Sequence, residues 1–243
     1  MLPYINIFGA AIAFSPLIIL IGIWLGTSLA EKHAPKHNLS PEVLYNLIFI
    51  GLVAFVLGGR LGYAAQNPSA FAEDPLSLFS RNFGLFDPIS GAVVALIAVV
   101  IYGQRKQLDL WQTLDALTPA LAVFMIAIPL ANLASGNAFG APSSLPWAIR
   151  LWGEFRHPVQ IYEIIGAAVI LWAIFPGIHK PTRKGMNFLT FTACTALARL
   201  FFEGFRGSSP VTILGLRTAQ LAAWAILALA LWQIYQIRRT QQT

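Results

Sequence analysis

The chain has 243 residues, 57% hydrophobic and 11% charged, with 16 Lys and Arg against 10 Asp and Glu and a formal net charge of +6. With a mean hydropathy of +0.67, this excludes an ordinary soluble domain, in which about 25% of residues are charged. A single cysteine, Cys194, excludes any disulfide within one chain.

Crossing a bilayer takes about 20 apolar residues, and runs near that length predict seven spans, at 7–30, 43–65, 88–103, 114–133, 160–178, 186–203 and 218–237. The first run is long and its leading MLPYIN supplies no basic segment, so it reads as a span rather than a signal peptide. In the second, VLGGRLGY (56–63) places Gly58 and Gly59 where a second helix backbone can approach, with Arg60 near the outer end. Residues 67–83 form an arm before the third span. Asp115 starts or lines the fourth span from the cytoplasmic side.

The stretch NLASGNAFGAPSSLPWAIRLW, from Asn132 to Trp152, is too polar to face lipid and too apolar for a solvated loop. Irregular backbone at membrane depth needs cover from protein or a water-lined cavity, so this stretch is expected to pack over a cavity. RHPVQIYE (156–163) opens the fifth span, with Pro158 in the first helical turn and His157 just before it. In the sixth, RLFFEGFRG (199–207) sets Arg199, Glu203 and Arg206 on one helical stripe at i, i+4 and i+7. Cys194 lies mid-span as a small packing residue, and RRTQQT ends the sequence as a solvated tail. No linker, repeat or soluble segment divides the chain, which reads as a single transmembrane domain over 1–243.

Charge placement orients it. Alternate loops put Lys32, Lys36, Arg105, Lys106, Lys180, Arg183, Lys184, Arg238 and Arg239 on one side. Arg81, Arg150, Arg156, Arg206 and Arg217 fall on the other, with Arg60 and Arg199 in or at the ends of spans. The more basic side faces the cytoplasm. The predicted fold is therefore an all-α polytopic membrane protein, about seven transmembrane helices around a lipid-accessible cavity, N-terminus outside and C-terminus cytoplasmic. Basic loops against an anionic leaflet account for most of the net charge without a nucleic-acid partner.

The chemistry collects at the outer face. An interfacial arginine and a belt tyrosine account for Arg156 and Tyr162, but an ionisable Glu163 within a span points to function. Gln160 and Glu163 lie one turn apart on the same side. If Arg60, Arg156, Arg199 and Arg206 converge with Glu163 and Glu203, four cations meet two anions, and the surplus suits an anionic head group gripped through paired N–H donors.

These motifs resemble the prolipoprotein diacylglyceryl transferase family in order and interval over nearly the whole chain. They are GGRLGY at 58–63, Asn132, Gly136 and Gly140 in spacing, LPWA at 145–148, RHPVQIYE at 156–163 and RLFFEGFR at 199–206. The resemblance implies a transferase of lipoprotein biosynthesis in the bacterial plasma (inner) membrane. It would move diacylglyceryl from phosphatidylglycerol to the lipobox cysteine thiol of a prolipoprotein signal peptide, making a thioether and releasing glycerol phosphate. It implies no metal and no cofactor. A free thiol is only a few per cent ionised at neutral pH, and His157 is the sole histidine on the outer side of this topology. The expected catalytic set is His157 as base with Glu163, Arg199 and Glu203. Glu163 or Glu203 would orient the histidine or an arginine. Arg60, Asn132, Arg156, Gln160, Tyr162 and Arg206 would bind substrate, with the arginines on the phosphate.

The chain departs from the family pattern at several points. The family's histidine segment before the third span reads GLFDPISGAVVA (84–95), without a histidine. Its motif arginine aligns with Pro129 and the next glycine with Ala131, while a later asparagine and glutamate align with Ser135 and Asn137. Two tyrosines align with Phe8 and Thr195. A catalytically altered paralogue that binds phospholipid or lipoprotein is therefore an alternative, and a small-molecule transporter another. The chain offers neither internal repeats nor paired broken helices for transport.

Overall fold

A computed structural model describes residues 4–7, 10–80, 84–179, 183–212 and 215–239. Phe8, Arg81, Lys180 and the tail beyond Arg239 lie outside the described residues. Seven helices of 18 residues or more are present among those described. They are α1 (Phe14–His33), α2 (Pro41–Gln66), α4 (Pro88–Arg105), α5 (Leu110–Ser135), α6 (Val159–His179), α7 (Met186–Glu203) and α8 (Thr218–Arg239), with a short α3 (Pro68–Glu73) after α2. Five are long and apolar enough to cross a membrane: α1 with the 3-10 turn that follows it, α2, α4, α5 and α8. In α6 the apolar helix counted this way is Val159–Phe175, and α7 carries Arg199 and Glu203 within its 18 residues. Trp24, Phe49, Ile97, Trp172 and Leu229 are among many large apolar side chains left exposed, as expected where lipid rather than water is the solvent. The molecule is a multi-pass helical membrane protein.

The first helix corrects the predicted span. It begins at Phe14 rather than near residue 7, because β1 (Tyr4–Ile7) pairs antiparallel with β2 (Ala10–Ala13), Tyr4 opposite Ala13. Hydropathy alone does not separate a short apolar strand from the start of a helix. A second hairpin, β3 (Ile149–Leu151) with β4 (Glu154–Arg156), adds regular structure at the end of the 132–152 stretch read as irregular backbone. Its two-residue turn, Trp152 at φ 57 and Gly153 at φ 86, has the left-handed pair that matches strand twist.

α5 lies at the centre, packed against α1, α6 and α7, while α2 pairs with α4 and α7 with α8. The α2–α4 contact depends on small residues. A methyl on Gly58 would lie 2.5 Å from Val94 Cβ, and one on Gly91 2.7 Å from the Phe55 carbonyl. Helix ends are closed by side chains from the sequence nearby: Asp87 accepts from the Ile89 and Ser90 N–H groups before α4, and Asp109 from Gln112 before α5. The start of α7 is closed from elsewhere. Asp115, buried in α5, accepts from Gly185 N at 2.6 Å and Phe188 N at 2.9 Å. Cys194 packs beside a cluster of Ala122, Ile170, Ile174 and Phe191.

Candidate functional site

Two motifs distant in sequence meet where α6 packs against α7. From α6, Glu163 Oε1 accepts from Arg206 Nη2 at 2.5 Å, Arg206 Nε at 3.1 Å and Arg199 Nη1 at 3.4 Å. Glu203, on the Arg199 stripe, lies 3.0 Å from Arg199 Nε and 3.8 Å from Arg206 Nε. Glu203 is fully buried, and neither of its oxygens has a well-aligned hydrogen bond among the described residues. Two arginines and two glutamates thus form a closed, charge-balanced cluster. Low dielectric makes each member costly to orphan.

The cluster borders a cavity of about 540 Å³ between α5, α6, α7 and α8. Glu163, Arg199 and Arg206 supply the charged part of its wall, and Met125, Pro129, Phe191, Thr195, Phe202 and Ala223 are among the largely apolar rest. Arg199 is the most open member of the cluster, with 38% of its side chain exposed. The α8 wall was not foreseen, although Ala219, Ala222, Ala223 and Ile226 follow the i, i+3, i+4, i+7 spacing of one helical face. Two of the departures noted in sequence, Pro129 and Thr195, line this cavity. Pro129 sits inside α5 and cannot donate to the Met125 carbonyl four residues earlier. The Thr195 hydroxyl lies 3.0 Å from Met125 Sδ.

The expected surplus of four cations over two anions does not form. Arg60 donates to the Ser80 carbonyl at 2.8 Å, on the α2 side of the molecule. Arg156 pairs with Glu154 at 2.6 Å, donates to the Gly140 carbonyl at 3.2 Å and lies over the Phe139 ring. Ser80 lies 20 residues from Arg60 and Gly140 16 residues from Arg156, so these partners are set by packing and not by sequence neighbourhood. Neither guanidinium borders the cavity.

His157 is likewise not oriented by Glu163 or Glu203, whose partners are the arginines. Its ring packs 5.2 Å from that of Phe205, and Nδ1 lies 3.5 Å from Tyr162 Oη, which accepts from Trp147 Nε1 at 2.8 Å. Its backbone N–H donates to Ala141 O at 3.0 Å, Ala141 N donates to Phe205 O at 2.8 Å, and Gly207 N to Phe139 O at 3.0 Å. The 139–141 segment is therefore threaded between the His157 and Arg206 motifs. Gly140 permits this passage: a methyl there would run into the His157 carbonyl and lie 2.7 Å from the His157 Cβ. Gln160, fully buried, donates to the Asn137 carbonyl at 2.8 Å and holds the same loop from α6. The carbonyl of Asn132 accepts from Asn137 N at 3.0 Å, and Asn132 does not border the cavity. The 132–152 stretch, expected to pack over a cavity, has its 139–141 segment threaded in this way. It does not border the cavity between α5, α6, α7 and α8, and residues 144–147 are exposed.

The site of this helical membrane protein is thus a partly buried Arg–Glu cluster in the wall of a largely apolar cavity, a polar end set against an apolar length. The chain belongs to the family described as prolipoprotein diacylglyceryl transferase, whose profile it matches over residues 4–236. Proteins named phosphatidylglycerol–prolipoprotein diacylglyceryl transferase resemble it along most of their length. That of Finegoldia magna is 26% identical over 98% of this chain and 95% of its own. That of Methylococcus capsulatus is 31% identical over 77% and 78%, and that of Synechococcus elongatus 25% over 92% and 84%.

Proposed function

We propose that this chain transfers a diacylglyceryl group from phosphatidylglycerol to the lipobox cysteine of a prolipoprotein signal peptide, in the plasma (inner) membrane of a bacterium. The observation that carries the reading is the arginine pair on the wall of the apolar cavity. The cavity takes the acyl chains, and Arg199 and Arg206 face the phosphate. The cysteine sulfur attacks the glyceryl carbon that bears the phosphate ester. The S–C bond forms as the C–O bond breaks, and the electron pair leaves on glycerol phosphate. The arginines stabilise that departing charge, and His157 takes the thiol proton. Glu163 and Glu203 hold the arginine planes in place. Gln160, Asn132, Arg156 and Tyr162 fix the loop and helix end around the site, and Arg60 steadies the arm at Ser80.

The basic loops support a single membrane domain of seven spans with the N-terminus outside and the C-terminus in the cytoplasm. A second reading, a paralogue that binds phospholipid without the transfer, is favoured by one observation. Pro129 and Thr195, standing where the family pattern has arginine and tyrosine, both line the cavity. The deciding experiment mixes purified protein with phosphatidylglycerol and a synthetic lipobox peptide and reads the peptide mass. A diacylglyceryl gain that is lost in His157→Ala supports the transferase. Phosphatidylglycerol binding with no mass gain supports the second reading.

A further inference from the structure

We propose a second, phosphate-binding site at the opposite end of the molecule, independent of the transfer reaction. The N-terminus of α7 lies about 26 Å along the helix from Glu203, at a 1.5 Å rise per residue. There a polar pocket of about 210 Å³ is lined by Lys36, His37, Gln112, Asp115, Arg183 and Lys184, brought together from the α1–α2 connection, α5 and the approach to α7.

Its charges identify the ligand class. Both Asp115 oxygens accept from backbone N–H groups, Oδ2 from Gly185 and Oδ1 from Phe188, so this carboxylate is already engaged at the helix start. Lys184 is shared with Asp109 at 3.2 Å on the exposed side. Lys36 and Arg183 add two further cations. His37 is only 4% exposed, yet its Nε2 has no hydrogen-bond partner among the described residues. A buried imidazole nitrogen without a partner is costly. With the proton on Nε2 this nitrogen is a donor, and in a wall of lysine and arginine it is matched by an oxygen-rich anion that can accept from several donors at once. A phosphate monoester meets that need, offering several oxygens to the guanidinium fork and the ammonium groups. Free phosphate and the exposed head group of an acidic phospholipid share this chemistry.

The test uses the full chain in phosphatidylcholine nanodiscs with ¹³C-labelled histidine, the His37 signal being assigned by its loss in His37→Asn. One arm titrates inorganic phosphate to about 10 mM, weak binding by any standard. The other replaces part of the phosphatidylcholine with phosphatidic acid. The expected result is a saturable His37 shift in at least one arm, with apparent affinity weakened about tenfold or more in Arg183→Gln and in Lys36→Gln at unchanged melting temperature. A shift with inorganic phosphate assigns a soluble ligand, and a shift with phosphatidic acid alone assigns a lipid head group. If His37 stays unmoved in both arms, or its shift is the same in both variants, the site is overturned. The outer cavity contains no histidine in its lining, so binding there does not imitate the signal.

Discussion

Glu203 has no contact with solvent and two arginines for company. The cluster it belongs to is better understood by what happens on removing one member than by the net worth of its pairs. Arg206→Ala leaves Glu163 and Glu203 short of a cation inside the bundle, and breaking a buried pair this way costs about 3–5 kcal/mol. The expected outcome is a clear fall in melting temperature together with loss of transfer, whereas Arg206→Lys keeps the charge but not the fork. That variant is expected to melt near the parent while transfer falls at least about tenfold, checked by thermal unfolding in detergent beside the peptide-mass assay. Gly140 makes a similar argument with backbone. Gly140→Ala forces the 139–141 segment away from His157, and overpacking of this kind costs about 1–3 kcal/mol. Transfer, read by the peptide-mass assay, should drop in Gly140→Ala, because the displaced segment is hydrogen-bonded on one side to His157 and on the other to the backbone flanking Arg206.

At the scale of an element, the helix ends carry the sharpest expectations. Asp115→Ala deprives the first turn of α7 of two hydrogen bonds in a buried place, at a cost of about 1–3 kcal/mol for each unsatisfied group. The variant should melt lower, and Asp115→Asn, which retains an accepting oxygen, should recover part of the loss. Asp109 sets a pH dependence. The Gln112 N–H above all, and then the Lys184 ammonium, hold its carboxyl below the ordinary value of 3.8. A carboxylate depressed in the folded state stabilises the fold at every pH above its unfolded value and ceases to do so as pH falls through the lower folded value. Melting temperature should therefore show no pH dependence from this group between pH 7 and about 5, where its contribution is fully present, and a decline from 3.8 downward. In Asp109→Asn that part of the acid limb should be missing.

For the whole molecule, the basic loops predict which end is which. Lys36, Arg183 and Lys184 border one pocket, so three residues assigned to the cytoplasmic side by alternation of loops do share an end. In a Cys194→Ser background, Glu154→Cys is expected to react with a membrane-impermeant maleimide in intact cells and Lys106→Cys only after the membrane is opened. Mass-tag electrophoresis reads both, and the reverse pattern would invert the proposed topology.

Long apolar runs and their punctuation were enough to place seven long helices, because a span must satisfy its own backbone hydrogen bonds and so declares itself in consecutive residues. The glycine face of α2 and the Arg199–Glu203–Arg206 stripe were legible for the same reason, being local periodicities on one helix. What lay beyond local reading was partnership across the chain. Whether Arg60 and Arg156 joined Glu163, whether His157 met a carboxylate, what Asp115 capped and which face of α8 closed the cavity each depended on side chains many residues apart. Tertiary structure gave Glu163 to Arg206 and Arg199, left His157 among Tyr162 and Phe205, and brought Lys36 beside Arg183. Sequence determined the helices and the chemical groups they carry. Only packing decided which groups meet, since a charge in a low-dielectric interior takes the partner that geometry brings within reach.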